Sequence, residues 1–275
     1  MADAARTSLN TITTHRQWNL TQAVEGCLRH ELKGITPWCF QLKEMGSKQA
    51  IKLLRDSGLT VTGLCGAGML TGADQATRRA LLDAHYLAID HAAEMGASCL
   101  VLVVGGLPDG SKDLAGARRQ VRDALGQLLP RARAAGVALA LEPLHPMYAA
   151  TTACVNSLSQ ANDLCDELGD GLGIALDAYH VWWDPQLAQE IQRAGASDRL
   201  LAFHVCDWLE NTRDLAFDRG MMGDGVIDLK QLRSWMERAG YQGCYEVEIF
   251  SDKDWWQRDG DEVLSVMKSR IADSL

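Results

Sequence analysis

The chain reads VALALE at 137–142, GIALD at 173–177, LLAFH at 200–204 and CYEVE at 244–248. Each run is short and apolar, as expected of a strand that is buried on both faces of a parallel sheet. Each run also ends in a side chain that can bind a metal, namely Glu142, Asp177, His204 or Glu248. Longer amphipathic stretches separate the runs, so this half of the chain predicts parallel strands joined by helices.

Four earlier runs extend the same alternation toward the N-terminus. The predicted strands lie at 8–13, 34–38, 60–64, 99–104, 137–142, 173–177, 201–205 and 245–249. The predicted helices between them include 47–56, 75–95, 114–135, 159–168, 187–194, 229–239 and 261–271. Eight strand-helix units in 275 residues predict an α/β fold, with one (β/α)₈ barrel domain that spans 1–275.

A doubly wound open sheet is the alternative, because it gives a similar alternation of strands and helices. Such sheets usually carry a glycine-rich phosphate loop after an early strand. The nearest candidate, VVGGLPDG at 103–110, fits neither GxGxxG nor GxxxxGK[ST], so the closed barrel is favoured. Several predicted helices are followed by a glycine that suits a helix C-cap: Gly58, Gly96, Gly136, Gly169, Gly195 and Gly240.

The charge balance predicts a small-molecule partner. Thirty-six acidic and 27 basic residues give a net charge of -9, whereas nucleic acids and anionic membranes bind clustered cations. No apolar run is long enough to span a membrane, and the first residues lack the regions of a secretion signal. A cytoplasmic protein is therefore expected. The eight cysteines are scattered without a CxxC pair, which favours buried free thiols.

The four ligand candidates are expected to meet at one end of the barrel. The loops that follow the C-terminal strand ends build the active site of such barrels. Side chains alternate along a strand, so Ala140, Ala175 and Ala202 should share the inward face with the ligand candidates. By the same alternation, Leu201 and Phe203 should face the outer helices.

Two carboxylates face inward on the last predicted strand. Glu248 lies nearer the strand end and is the predicted ligand. Glu246 should lie one layer deeper, where a buried carboxylate needs a cation or hydrogen-bond donors. Glu246 as the ligand is the alternative.

Three carboxylates and one imidazole predict a site for one divalent metal. Oxygen-rich ligands favour Mn²⁺, with Mg²⁺, Co²⁺ and Zn²⁺ as alternatives. Four protein ligands leave two octahedral positions, which suits a chelated hydroxy-ketone, and the ion would stabilise the enediolate that forms on deprotonation. Glu142 and Glu248 lie on strands that are not neighbours, so they are the candidate bases on the two faces of the substrate.

At these residues the chain resembles the sugar isomerase and epimerase superfamily with the xylose isomerase-like TIM barrel. The resemblance covers nearly the whole chain and is sharpest in LEPLHP (141–146), LDAYH (176–180), FHVCDW (203–208) and VEIF (247–250). It implies that Glu142, Asp177, His204 and Glu248 bind one metal. It also implies substrate contacts for His180, in the DxxH motif, and for Arg219, in DRGMMGDGVID (218–228).

Two features depart from the family pattern. His145-Pro146 follow LEPL where sugar epimerases often carry Asn-Arg, so His145 is a candidate general acid or base. Indoles are also numerous around the expected mouth, where Trp38 and Trp208 are candidates to stack on a sugar ring or an aromatic group. The other indoles of this set can equally pack at the barrel ends: Trp182, Trp183, Trp255 and Trp256.

The sequence therefore predicts a metal-dependent sugar isomerase or epimerase that acts on a ketose or keto-sugar. The alternative is a lyase on 3-keto-glycosides, because the chain is also similar to the large subunit of bacterial C-glycoside deglycosidases. That resemblance implies a hetero-oligomer with a small β-rich subunit; otherwise a homo-oligomer is expected. A non-catalytic sugar-binding barrel is the third hypothesis. The acidic charge disfavours the DNA binding of the related endonuclease IV.

Overall fold

Eight parallel strands form the centre of the computed structural model, which describes residues 6–275. The first five residues of the predicted domain lie outside this described part. The strands are β1 (Thr7–Asn10), β2 (Gly34–Thr36), β3 (Thr60–Val61), β4 (Cys99–Leu102), β5 (Ala138–Leu141), β6 (Leu172–Asp177), β7 (Leu200–Val205) and β8 (Tyr245–Val247).

The sheet closes on itself. Its strands follow the order β3-β2-β1-β8-β7-β6-β5-β4, and every pair is parallel. Beyond β3, the backbone N–H of Leu64 donates to the carbonyl of Cys99 (3.0 Å), and that of Val101 donates to the carbonyl of Leu64 (2.9 Å). These bonds join the two edges of the sheet. The predicted barrel is confirmed, and the open-sheet alternative is wrong.

Helices surround the barrel. They are α1 (Leu20–Arg29), α2 (Cys39–Met45), α3 (Ser47–Asp56), α4 (Gln75–Met95), α5 (Leu114–Ala135), α6 (Leu158–Leu168), α7 (Ala178–Val181), α8 (Leu187–Gly195), α9 (Leu229–Arg238) and α10 (Gly260–Ser274). The predicted helices 47–56, 75–95 and 114–135 are confirmed residue for residue. Within residues 6–275, no helix has the length and apolar character needed to cross a membrane.

The glycines after the helices serve two different purposes. Gly96 and Gly136 end α4 and α5 in the left-handed conformation, with φ of 71° and 68°, as predicted for C-caps. The prediction for Gly195 is wrong, because this residue is the last of α8 and the cap that follows, Ala196, has a φ of -61°. A Cβ at Gly195 would lie 2.1 Å from the carbonyl oxygen of Ala239, so glycine is needed here for close packing.

The barrel interior holds small side chains, as the alternation predicted. Ala140, Ala175 and Ala202 pack there in one cluster that also includes the free thiols of Cys65 and Cys99. Such small groups leave room at the carboxyl end of the barrel for longer polar side chains.

The prediction that Leu201 faces outward is wrong, because Leu201 packs on the inner cluster. Along β6 and β7, Ile174 pairs with Leu200 but Ala175 pairs with Ala202, so Leu201 is an extra residue. A β-bulge of this kind reverses the alternation on one side of the extra residue. The side chains beyond it, including His204, keep the predicted direction.

The strand ends differ slightly from the prediction. Thr11–Thr14 form a 3₁₀ turn, capped by Asn10, rather than a continuation of β1. Glu142 and Glu248 each lie one residue beyond the strand that carries them. Their backbone N–H groups still donate to the neighbouring strands, to Leu102 (3.1 Å) and Val205 (3.2 Å), so the sheet fixes where both side chains start.

Candidate metal centre

Four potential ligand side chains converge at the carboxyl end of the barrel. Glu142, Asp177, His204 and Glu248 each offer one ligand atom, and these atoms all lie within 4.8 Å of one another. Nδ1 of His204 is 2.8 Å from Oε1 of Glu142 and 3.7 Å from Oε2 of Glu248. All four side chains are buried. Residues at or next to the carboxyl ends of β5 to β8 thus point at one small volume, as the sequence predicted.

The chemistry of this set fits a divalent cation. Oε1 of Glu142 and Nδ1 of His204 are buried without a hydrogen bond of acceptable geometry, which is costly for polar atoms unless another partner satisfies them. The surrounding buried charges are mainly negative, because Glu246 lies beside the four residues and the cations are Arg219 and His204. Three carboxylates and an imidazole are suitable ligands for a hard or borderline divalent ion.

The ionisation of the cluster reflects this excess of negative charge. Burial lowers the pKa of His204, but the carboxylates of Glu246 and Glu248 outweigh burial and hold that pKa well above its ordinary value. Burial, together with the nearby Glu142, raises the pKa of Glu248 to about 8. Positive charge placed among these groups would therefore be strongly stabilised.

Glu246 lies behind His204 rather than among the four. Its carboxylate accepts hydrogen bonds from Oγ1 of Thr36 (2.5 Å), Oγ1 of Thr62 (2.9 Å) and Nδ2 of Asn10 (3.0 Å). Oε1 of Glu246 also lies 3.1 Å from Nε2 of His204, on the side of the ring away from the cluster. The donors satisfy the buried carboxylate, and Glu246 is placed to orient the imidazole.

Arg219 ties the cluster to His180. Its Nη1 donates to Oδ2 of Asp177 (2.8 Å) and Oε2 of Glu248 (3.1 Å), and its Nη2 lies 3.1 Å from Nε2 of His180. The guanidinium lies between the rings of Tyr179 and Phe250, 4.5 Å and 4.7 Å from their centroids. These contacts hold Arg219 in one orientation.

The contact with Arg219 also fixes the tautomer of His180. Arginine can only donate, so Nε2 of His180 accepts and the proton of the neutral ring lies on Nδ1. Burial lowers the pKa of His180 to about 3, which keeps the ring neutral at physiological pH. Nδ1 is buried and has no hydrogen-bond partner among the described residues. Its proton is therefore not accepted by any of the described residues.

A cavity of about 470 Å³ opens above the cluster. Glu142, Glu248, His180 and Arg219 line it, whereas Asp177 and His204 are fully buried and do not. A volume of this size is typical of a site for a small molecule. The cavity therefore brings five predicted site residues into one binding space, counting Trp38, which also lines it.

His145 and Trp208 are not among the residues that line this cavity. The His145 ring lies 5.6 Å from Trp183 and 5.2 Å from Trp208, and its Nδ1 accepts from the N–H of Met147 (3.2 Å). The indole of Trp208 stacks on Tyr179 at 4.7 Å. Both residues thus belong to an aromatic cluster beside the cavity.

The sequence reasoning missed several residues that shape the site. Asn10, Thr36 and Thr62 support Glu246 from β1, from β2 and from the segment after β3, and nothing in their local sequence marks them. Phe250 and Phe217 line the cavity. A signal existed for both aromatic rings, since Phe250 follows VEI and Phe217 lies two residues before Arg219.

Curated relatives of this chain are sugar isomerases and epimerases. An inosose isomerase of Halalkalibacterium halodurans is 28% identical over 159 residues, which cover 55% of this chain and 52% of the relative. The L-ribulose-5-phosphate 3-epimerase UlaE of Escherichia coli K12 is 29% identical over 136 residues, covering 49% and 44%. The chain spans about half the length of the curated relatives it matches.

Solved structures show the same fold over the whole chain. A protein of Sinorhizobium meliloti 1021 is 50% identical, with a TM-score of 0.96 and 98% of both chains covered. An IOLI protein with a bound zinc atom is 20% identical, with a TM-score of 0.84 over 98% of this chain and 97% of its own. The 3-keto-D-glucoside 4-epimerase YcjR of Escherichia coli is 21% identical, with a TM-score of 0.75 over 96% and 99%.

The family model described as xylose isomerase-like TIM barrel matches residues 27–269, which is most of the chain. This match agrees with the eight-stranded parallel barrel and with the residues at its carboxyl end. The chain therefore belongs to the xylose isomerase-like TIM barrel family.

Proposed function

We propose that this protein is a divalent-metal-dependent sugar isomerase or epimerase that acts on a ketose or keto-sugar through an enediolate. The observation that carries the proposal is the cluster of four buried ligand atoms within 4.8 Å at the floor of a small-molecule cavity. The names of the curated relatives, an inosose isomerase and a ribulose-phosphate epimerase, support the reaction class.

Glu142, Asp177, His204 and Glu248 would hold the metal. The oxygen-rich set suits Mn²⁺ best, and Mg²⁺, Co²⁺ or Zn²⁺ can occupy such a set as well. The zinc atom of the IOLI protein supports a divalent ion in this fold. When bound, the ion supplies the positive charge that polarises a carbonyl and stabilises an enediolate.

Glu142 and Glu248 are the proposed proton-transfer groups. Both line the cavity, and β6 and β7 separate the strands that carry them. They therefore approach a ligand from different directions, which an epimerase needs if it removes a proton on one face and returns it on the other. Isomerisation between neighbouring carbons needs only one of them.

His180 and Arg219 would orient the substrate. The Nδ1–H of His180 is an unpartnered donor, suited to a hydroxyl or carbonyl oxygen. Arg219 positions the carboxylates of Asp177 and Glu248 through two hydrogen bonds. Trp38 forms one wall of the cavity, and its Nε1 donates to Oδ1 of Asn10 (2.7 Å), which fixes the indole plane.

We assign no proton transfer to His145. The lyase hypothesis rests on the resemblance to C-glycoside deglycosidases and drew added support from His145 and the indoles. Trp38 lines the cavity, but His145 and Trp208 do not. The two groups proposed to transfer protons in an isomerisation or epimerisation, Glu142 and Glu248, both line it. The composition of the cavity lining therefore favours isomerisation or epimerisation over the lyase reaction.

Elemental analysis of protein purified without chelator and dialysed against Mn²⁺ tests the proposal. We expect close to one divalent ion per chain, because the four residues form one closed set. A content of three metals per chain, or of none, would contradict it. The alanine variant of His145 serves as the matched control, since this residue lies outside the set and should leave the metal content unchanged.

A further inference from the structure

The cavity above the candidate metal centre is polar at one end only. The floor is lined by Glu142, Glu248, Arg219 and the neutral His180; Arg219 donates to Glu248 and lies 3.1 Å from Nε2 of His180. The other walls are largely apolar. They include Trp38, Ala67, Met69, Val101, Phe217 and Phe250, with Tyr148 and Thr152 as hydroxyl-bearing members. A ligand that fills the cavity must therefore match two different environments.

The one cation in the lining is not available to a phosphate group. The guanidinium of Arg219 already donates to Asp177 and Glu248, contacts His180 through Nη2, and keeps only Nε without a partner. The two carboxylates offset its charge. Within residues 6–275, no lysine lines this cavity. Apart from a metal ion held by the four clustered residues, a phosphate group would thus find no free cation among the described residues of the lining.

The usual phosphate position of a (β/α)₈ barrel is also closed. In such barrels, phosphate binds at the loops after the seventh and eighth strands, at free N–H groups of helix starts. Here Asp228 caps α9 and Asp259 caps α10, each through its own carboxylate. Asp261 and Glu262 also lie in the first turn of α10, where they pair with Arg29 and Arg258. Carboxylates of the chain thus already occupy these two helix starts.

The short turn Trp255–Gln257, between β8 and α10, offers no free N–H group either. Its first N–H donates to Oγ of Ser251 (3.3 Å), its second to the carbonyl of Ser251 (3.0 Å) and its third to the carbonyl of Asp254 (2.8 Å). All three donors are therefore used within the chain. The turn Trp255–Gln257 therefore offers no free N–H donor to a phosphate group.

The apolar walls are poorly matched to a simple sugar. Met69 and Phe217 line the cavity and are 40% and 42% exposed, although large apolar side chains are usually covered. Phe217 and Trp38 both pack against Phe250, with ring centroids 6.3 Å and 5.9 Å away. Sugar hydroxyls placed against these groups would lose water without gaining hydrogen bonds, which costs free energy.

We propose that the substrate is an unphosphorylated keto-sugar that carries an apolar substituent, aryl or alkyl, on the side away from the reacting carbons. The keto-sugar end of this inference rests on the proposed function. The apolar end rests on the cavity walls, and the missing phosphate rests on the engaged Arg219 and on the capped helix starts. The substituent would cover Met69 and Phe217 and pack on the edge of Phe250 and Trp38.

Isothermal titration of the Mn²⁺-loaded protein with two matched pairs of probes tests the inference. The first pair is L-ribulose and L-ribulose 5-phosphate, and we expect the phosphate to weaken binding at least about tenfold, because no free side-chain cation among the described residues lines the cavity to offset the loss of its hydration. The second pair is the methyl and phenyl 3-keto-β-D-glucopyranosides. We expect the phenyl compound to bind about tenfold more tightly, because its ring buries apolar surface.

The Phe217→Ala variant tests whether the preference for the phenyl compound arises at the apolar wall of the cavity. We expect it to reduce the ratio of phenyl to methyl affinity at least about threefold, since one wall of the apolar part is removed. Leu87→Ala is the matched control, because Leu87 is also an exposed apolar residue (55%) but lies on α4 and does not line the cavity. The control should keep the full ratio.

Equal binding of the methyl and phenyl compounds, or binding of the phosphorylated sugar as tight as that of the free sugar, would overturn this inference. Proton exchange from the keto-sugars in D₂O, followed by NMR in the same samples, reports on the proposed function separately. Exchange without the two preferences would overturn only the inference. Both preferences without exchange would support the inference and contradict the proposed reaction, and no binding of any probe would contradict both.

Discussion

Glu246 on β8 and Glu248, one residue beyond that strand, point to the same inward side, yet their carboxylates have different partners. Glu246 accepts three hydrogen bonds, from Asn10, Thr36 and Thr62, and is therefore satisfied within the protein. Glu248 accepts from Asn10 (3.1 Å) and Arg219, and it faces Glu142 across the cluster. Glu248, nearer the barrel mouth, is thus the candidate metal ligand, and Glu246, one layer deeper, supports His204.

Glu248→Gln should abolish tight Mn²⁺ binding, because a neutral amide is a weak ligand for a hard cation. Glu246→Gln should weaken binding by only about 10-fold to 100-fold, because it disturbs the orientation of His204 without removing a ligand. Isothermal titration of both variants with Mn²⁺ measures the difference. The reverse order of the two effects would place the metal one layer deeper in the barrel.

His145→Ala should lower kcat/KM for an epimerised ketose by about tenfold at most, which is about 1.4 kcal/mol. The ring lies beside the cavity and supports its aromatic border, so it affects position rather than proton transfer. Loss of a general acid or base costs about 10² to 10⁴. A loss of that size in His145→Ala, with the metal still bound, would restore the lyase hypothesis. Glu142→Gln is the comparison variant, because it removes a proposed proton-transfer group.

The sequence predicted the four clustered residues because each ends a short apolar run, and strand ends meet in a barrel. It could not predict the partners of Glu246. Asn10, Thr36 and Thr62 are ordinary strand or turn residues by their local sequence. Their role depends on contacts of β8 with β1, with β2 and with the segment after β3. These contacts join residues that are 184 to 236 positions apart in the chain, so local sequence does not reveal them.

At the scale of helices, Gly195 and Gly126 should respond in opposite ways to alanine. At Gly195 the new methyl would lie 2.1 Å from the carbonyl oxygen of Ala239, so α8 and α9 must separate. We expect a loss of about 1–3 kcal/mol in the free energy of unfolding. At Gly126, in α5, the nearest atom is 3.9 Å away, and alanine should stabilise the exposed helix by about 0.5–1 kcal/mol.

Urea denaturation of the two alanine variants measures both changes. Both variants replace a glycine by alanine within an α-helix, so helix propensity alone predicts that both are stabilised. An equal gain in stability at the two positions would show that α8 and α9 do not pack as closely as described.

A buried histidine on α4 should make stability depend on pH. Burial lowers the pKa of His85, whose Nδ1 contacts the carbonyl of Leu81 (2.7 Å) and whose Nε2 is buried without a partner. As the pH falls below 6.5, the unfolded chain takes up a proton that the folded chain resists. The free energy of unfolding should therefore decrease toward acid pH, by at most about 1.4 kcal/mol per pH unit from this residue.

The His85→Leu variant should lose less stability than the wild type between pH 7.5 and 5.5, because the titrating group is gone. Urea midpoints at the two pH values measure this. His91→Leu is the matched control, since His91 lies on the same helix and is partly exposed. An identical acid loss in the wild type and in the His85 variant would contradict the assignment.

The boundaries of α4 and α5 could be predicted because an aspartate cap and a following glycine mark each of them in the local sequence, whereas apolar spacing indicates α3. The direction of Leu201 could not, since the bulge that reverses it is set by pairing with β6 rather than by β7 alone. The role of Gly195 could not be predicted from local sequence either. Its place at the end of α8 resembles a C-cap, and only the close approach of Ala239 after α9 shows that this position requires a glycine.

At the scale of the whole molecule, the barrel was predictable because the repeated strand-helix alternation is a global pattern that single errors do not disturb. The closing bonds from Leu64 to β4 complete it. The same architecture explains why the chemistry is concentrated in the second half of the chain, since β5 to β8 are neighbours in the sheet and their carboxyl ends share one border of the cavity.

Exchange of the proton next to the carbonyl is the most direct test of the central claim, that the four clustered residues hold a metal used to enolise a keto-sugar. The measurement is NMR in D₂O on L-ribulose and methyl 3-keto-β-D-glucopyranoside, with Mn²⁺-loaded and chelator-treated protein. The account predicts deuterium incorporation with the loaded protein and its loss after chelation and in Glu248→Gln. Undiminished exchange in the chelated protein, or none in the loaded protein, would contradict the account.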